Sequence, residues 1–169
     1  MPRQVFARIG LFREEMLCHE DYEFNYRLRR AGGSILLLPW LRSKYSVRST
    51  LGALARQYAR YGFWKGRFLR SEPGSLRARH LAPPALVALL AACAAGTAFG
   101  GCGWLCLGFL LGLYGGFLFA ASAWLVASPK SRVQSPRSGH GRLGCALWLP
   151  VVLATLHLCW GGGVWAGLA

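Results

Sequence analysis

The chain has 169 residues, 54% of them apolar, with 20 Lys and Arg against 6 Asp and Glu and a formal net charge of +14. All six acids and sixteen of the twenty bases lie in residues 1–80, whereas Leu81 to Pro129 and Leu143 to Ala169 hold no Lys, Arg, Asp or Glu. Uncharged runs of that length exclude a single soluble globule, and roughly 20 apolar helical residues cross a bilayer core, so the chain divides into a basic head, 1–80, and a membrane tail, 81–169.

Arg3 to Arg13 is short and mixed, with Arg3 and Arg8 where a cleavable signal peptide would have an apolar core, so the head is expected to stay on the side of synthesis. Glu14 to Ala31 has helical character. Phe24, Leu28 and Ala31 recur at i, i+4 and i+7; Glu20, Asp21 and Glu23 stand at the amino end and Arg27, Arg29 and Arg30 at the carboxyl end, which suits the helix dipole. Gly32 and Gly33 supply a carboxyl cap, and Ile35 to Leu38, ended by Pro39, predicts a short buried strand. Helix, tight turn and strand in that order predict an α/β head.

Thr50 to Leu69 predicts a second helix with Leu51, Leu54, Tyr58, Tyr61 and Trp64 or Lys65 along one stripe and Arg56, Arg60, Arg67 and Arg70 among the rest. Basic amphipathic helices rich in aromatic residues lie in membrane interfaces; an ordinary surface helix packed on the head has the same pattern. Ser71 to Ser75 breaks the helix, and Arg77, Arg79 and His80 precede the tail.

The tail predicts three spans, about 81–100, 104–127 and 143–168, separated by a glycine-rich turn and a polar loop from Ser128 to Arg142. That loop carries Lys130, Arg132, Arg137 and Arg142 and no acid, so the positive-inside rule puts it in the cytosol with the head and puts Ala169 outside. The expected location is a cell inner (plasma) membrane, multi-pass. Gly108, Gly112, Gly116 and Ala120 recur every four residues, a pattern of close helix packing or simply of frequent glycine in membrane helices.

Of six cysteines, five (Cys93, Cys102, Cys106, Cys145, Cys159) lie in the tail without CxxC spacing, and His157 has no matching ligand set, so no metal site is expected from them. Cys18 stands beside His19, but neighbours in sequence rarely aim at each other as nucleophile and base. Asp21, the one Asp in the chain, is either a helix cap or a general base kept ionised at a helix amino end. The bases are spread over helices and loops beside membrane spans with no recognised binding module, so nucleic acid is not an expected partner.

Four segments taken together carry a resemblance. Arg8-Ile9-Gly10-Leu11-Phe12-Arg13-Glu14-Glu15-Met16 is like a G-x-F-D-E-x-M motif, and His19-Glu20-Asp21-Tyr22-Glu23 with Arg27-Leu28-Arg29 and Ala31-Gly32 is like E-D-x-E and R-L-R-x-A-G. Tyr45 to Ser49 is followed by Gln57-x-x-Arg60-Tyr61, a relative of Q-x-x-R-W. In this order, with spans after them, they make Val5 to Lys65 resemble the carboxyl-terminal half of the catalytic domain of family 2 glycosyltransferases, of the membrane-associated, succinoglycan glucosyltransferase-like kind.

The resemblance implies a partial GT-A-like head followed by an all-α membrane region. It implies inverting transfer of a hexose from a nucleotide sugar to a lipid-linked or exopolysaccharide acceptor, with Asp21 as base and Glu20 orienting it or touching acceptor. Gln57, Arg60 and Tyr61 would bind substrate, the amide and guanidinium at the acceptor or pyrophosphate and the ring against a sugar. Intact family members use a divalent metal, Mg or Mn, held by a D-x-D motif that this chain lacks. Arg13 stands where the family has Asp, which predicts a looser acceptor-side loop, and Tyr61 stands where it has Trp. The expectation is therefore a truncated enzyme, whose 169 residues insert in membranes but neither bind nor transfer a nucleotide sugar alone. The alternative is a non-enzymatic membrane protein whose basic head binds anionic lipid or a partner.

Overall fold

A computed structural model describes residues 3–128 and 142–169; the loop bases Lys130, Arg132 and Arg137 lie outside the described residues. The described residues form α1 (Arg3–Ile9), α2 (Glu20–Arg30), α3 (Leu51–Ser71), α4 (Ala82–Gly96), α5 (Gly101–Ala127) and α6 (Arg142–Leu168), with short single-turn helices between α3 and α4 and between α4 and α5, and contain no strand.

The expected α/β head, and with it the partial GT-A-like half, is therefore corrected to helix. Ile35 to Leu38 has no regular secondary structure, and Leu36 and Leu37 are more than four-fifths exposed, because no second strand lies beside them among the described residues to share backbone hydrogen bonds or cover their side chains. A four-residue apolar run signals burial; it does not supply the partner that makes a sheet.

Helix α2 starts later than the predicted Glu14. His19 has φ +66, a left-handed backbone that an α-helix cannot pass through, and its carbonyl accepts the Glu23 N–H at 2.9 Å to open the helix. The predicted cap at the other end forms: Gly32, at φ +77, donates to the Arg29 carbonyl and Gly33 to that of Leu28, satisfying two terminal acceptors. Phe24, 1% exposed, packs between Phe6 of α1 and Phe12, with ring centroids at 5.5 and 4.6 Å. Helix α1 had no periodic signal in the sequence. Its apolar side is little more than Val5, Phe6 and Ile9.

Helix α3 begins at Thr50, whose hydroxyl accepts the Ala53 N–H at 3.2 Å. It runs parallel to the second half of α6 in backbone contact. A Cβ at Gly62 would lie 2.1 Å from the Trp160 carbonyl oxygen, one at Gly66 2.3 Å from that of Val164, and reciprocally one at Gly163 2.2 Å from that of Ala59. Paired small-xxx-small faces allow this approach. Arg56, Arg60, Arg67 and Arg70 remain exposed on α3.

Three helices are long and apolar enough to cross a membrane, Ala78–Gly96, Gly101–Ala127 and Leu147–Leu168, which fits a multi-pass membrane protein. Trp104, Phe109, Phe117, Phe119 and Trp124 on α5 stand at least half exposed, as lipid-facing residues do. Helices α4 and α5 meet where Gly103 abuts Gly96, and α5 meets α6 where the Tyr114 hydroxyl lies 3.0 Å from His157 Nδ1. The repeating face Gly108, Gly112 and Gly116 packs on nothing within 4 Å among the described residues. Glycines elsewhere do the close packing.

The end of α6 lies beside the end of α3 and the start of α4. Arg70 donates to the Ala169 carbonyl at 3.1 Å, and the Trp165 indole donates to the Pro84 carbonyl at 2.8 Å. The glycine seam with α3 and these two hydrogen bonds fix the end of α6 beside its neighbours.

Candidate functional site

The residues that the resemblance singles out divide between two tasks. Glu23 is 1% exposed and is clamped: Arg27 holds both of its carboxylate oxygens, at 2.6 and 2.9 Å, and Arg13 Nε reaches it at 3.1 Å. Arg27 also donates to the Ile9 carbonyl and, at 2.7 Å, to that of Leu11, tying the segment after α1 onto α2. A bidentate guanidinium does this well because its donors are fixed in a plane. Arg13, expected to loosen this loop, instead helps to anchor it. The clamp was legible in part: Glu23 and Arg27 are an i, i+4 acid–base pair.

Asp21 and Glu20 are exposed in the first turn of α2, and no cation pairs with either among the described residues. One Asp21 oxygen accepts the Tyr22 N–H at 2.7 Å. Asp21, Asn25 and Arg29 follow at i, i+4 and i+8 on one face of α2, so the carboxylate stands one turn from residues that line a cavity. That cavity, of about 290 Å³, is bounded by Tyr22, Asn25, Tyr26, Arg29 and Ile35 on one side and by Arg77 and Arg79 on the other.

Gln57 is buried rather than free for substrate. Its amide donates to the hydroxyls of Tyr61 at 2.7 Å and Tyr45 at 3.2 Å, and its oxygen accepts from Arg48 Nε at 3.1 Å. Three of its possible bonds are thus made within the protein. Arg60 is exposed, beside a shallow groove shared with Leu158, Cys159 and Gly162 of α6. Tyr61 connects to the Asp21 end of α2, since His19 Nε2 lies 3.1 Å from the Tyr61 carbonyl oxygen. Arg60, Gln57 and Tyr61 therefore do not converge on one pocket; Tyr61 alone is tied to the neighbourhood of Asp21.

Lys65 had stood out in the sequence only as an alternative to Trp64 on the apolar stripe of α3. It is 4% exposed, its Nζ lies 4.1 Å from the centre of the Tyr22 ring and 5.3 Å from that of Phe68, and it has no hydrogen-bond partner. Burial, and then the charges of Arg77 and Arg79, pull its pKa down from 10.5 to about 8. Below pH 8 the folded and unfolded chains both carry this proton, and the full cost of burying the charge is present. Between about pH 8 and 10.5 only the unfolded chain holds it. Stability is therefore expected to rise with pH across that window, by at most about 1.4 kcal/mol per unit. Thermal unfolding of the detergent-solubilised chain at pH 8 and pH 10 measures this. Lys65→Met should be more stable at pH 8 and should lose the rise; an unchanged rise would assign it to another group.

Among the described residues no three His, Cys, Asp or Glu side chains group closely enough to hold a metal ion. Glu23 and Glu72 are moreover engaged by arginines, the latter by Arg30 at 3.1 Å. The carboxylates among the described residues do not make the donor set that Mg or Mn would need. No family model matches the chain, and neither a curated protein nor a solved structure shows significant similarity to it.

Proposed function

We propose that this chain serves inverting glycosyl transfer at a membrane surface, contributing the acceptor side of the reaction with Asp21 as general base. The observation that carries the reading is the division among the acids of α2. Glu23 is locked by two arginines, whereas Asp21 stands exposed and unpaired among the described residues, one helical turn from a cationic cavity. An ionised carboxylate in that position can take the proton of an acceptor hydroxyl as it attacks the anomeric carbon, with the nucleoside diphosphate leaving from the opposite face. The donor would be a nucleotide sugar and the acceptor a lipid-linked or polysaccharide glycan, as the four sequence motifs suggest. The sugar-binding role for Tyr61 keeps support from its link to His19, while Gln57 is better read as the residue that holds Tyr61 in place.

The test is transfer of labelled hexose in native membranes from a strain lacking the protein, restored with the native protein or with Asp21→Asn. Restoration by the native form and loss in the variant support the reading. Failure of the native form to restore any transfer would refute it. The second reading, a basic head that adsorbs to anionic lipid without chemistry, is favoured by the exposed Arg56, Arg60, Arg67 and Arg70 of α3.

A further inference from the structure

The cavity between α2 and the segment before α4 is short of negative charge. Arg29, Arg77 and Arg79 line it together with Tyr22 and Tyr26, and among the described residues no carboxylate pairs with any of the three arginines. Lys65 adds a fourth cation behind the Tyr22 ring, buried and without a hydrogen-bond partner. The Ser75 hydroxyl is also buried and unpartnered, in the turn whose carbonyl accepts the Tyr22 hydroxyl at 3.3 Å. Asp21, one turn away on α2, does not line the cavity, and Glu72 is held by Arg30.

Like charges are not gathered around a shared concavity without cost. Each cation lowers the stability of the others, and a buried ammonium with no acceptor adds a desolvation penalty. An anion with several oxygens would relieve both, because guanidinium groups arriving from α2 and from the 77–79 segment can grip different oxygens of one group. A phosphate monoester suits the site better than a carboxylate, since it carries nearly two charges and three terminal oxygens. Arg77 immediately precedes the first candidate span, Ala78–Gly96, and Arg79 lies in its first turn, the end of a span where lipid headgroups are met.

We infer that the cavity lined by Tyr22, Arg29, Arg77 and Arg79 and backed by Lys65 is a binding site for a phosphate monoester, presented by a membrane lipid headgroup or free in solution. The site is narrower than general adsorption of a basic head, because it depends on particular cations. It is also independent of the transferase reading, because binding alone fills it.

The full chain in an uncharged detergent would be titrated calorimetrically with three probes: dioctanoyl phosphatidic acid, dioctanoyl phosphatidylcholine and inorganic phosphate. Saturable binding of phosphatidic acid at one site is expected, with phosphatidylcholine at least tenfold weaker. Arg77→Gln with Arg79→Gln should weaken phosphatidic acid by roughly tenfold or more, the range for lost charge-assisted contacts. Arg42→Gln with Lys44→Gln removes the same charge from an exposed segment outside the cavity and should change affinity less than twofold.

Lys65→Met supplies an arm that does not depend on a fragile fold. Removing an unpaired buried charge should raise the thermal midpoint while lowering affinity, a combination that simple misfolding does not produce. Inorganic phosphate binding as tightly, with the same sensitivity to the variants, would support the site and identify a soluble ligand; weak phosphate with tight phosphatidic acid would identify the lipid. Equal weakening by the two double variants would reduce the effect to diffuse charge and overturn the inference. So would equal binding of phosphatidylcholine.

Discussion

In an intact enzyme that carries these same residues, Asp21→Asn is expected to lower glycosyl transfer by about 10²- to 10⁴-fold, the range for loss of a general base, while leaving the head folded. The amide has the shape of the carboxylate, and its oxygen can still accept the Tyr22 N–H, so the local turn survives. What disappears is the capacity to take a proton. Glu23→Gln should behave in the opposite way. It leaves Arg13 and Arg27 without their shared counter-charge in a residue that is 1% exposed, and breaking a buried ion pair costs on the order of 3 kcal/mol. Arg13 is partly exposed and water will soften that loss, but a lower thermal midpoint with proportionate loss of all functions is the expected signature. Donor affinity of that intact enzyme should be retained in Asp21→Asn, so that the defect lies in kcat. Near-normal turnover in Asp21→Asn would return that residue to the role of a helix cap, whatever Glu23→Gln does.

The contrast between these two acids also shows what the sequence could convey. Both lie in one four-residue stretch, Glu20 to Glu23, and a motif assigns them neighbouring roles; only the partners distinguish them, and Arg13 comes from a loop whose path is not periodic. Signals whose physics is local agree with the structure. The glycine cap after α2 formed as predicted, the Thr50 to Leu69 helix became Leu51–Ser71, and the apolar runs became helices long enough to span a bilayer. Signals that need a distant partner failed. Ile35 to Leu38 had the composition of a buried strand but no strand to pair with, and Gln57, placed at a substrate by motif, is occupied by Tyr45, Arg48 and Tyr61. Lys65 was legible only as a polar residue on an apolar stripe, since nothing in its own segment foretells that Tyr22 will cover it.

The largest structural effect is expected at the seam between α3 and α6. Gly163→Ala places a methyl group 2.2 Å from the Ala59 carbonyl oxygen and 2.9 Å from the Phe63 amide nitrogen, and Gly167→Ala places one 2.0 Å from the Phe63 carbonyl oxygen. The opposing atoms belong to the backbone of a helix, so no rotamer change makes room and the two helices must move apart. Alanine regains up to about 1 kcal/mol of helix propensity, against roughly 1–3 kcal/mol for overpacking, so each substitution should be net destabilising. The double variant should cost less than the sum, because the first methyl already opens the seam that the second would occupy. Gly108→Ala and Gly112→Ala give the comparison: neither would meet anything within 4 Å among the described residues, and both should be neutral or slightly stabilising. Thermal unfolding in detergent ranks the four. A cysteine pair at Arg70 and Leu168, whose backbone oxygen accepts from that arginine at 3.4 Å, reports the seam directly, and its cross-linking should fall in the Gly163 and Gly167 variants alone. If the pair on α5 proved as damaging as the pair on α6, the close approach of α3 to α6 would not be what holds the basic helix against the tail.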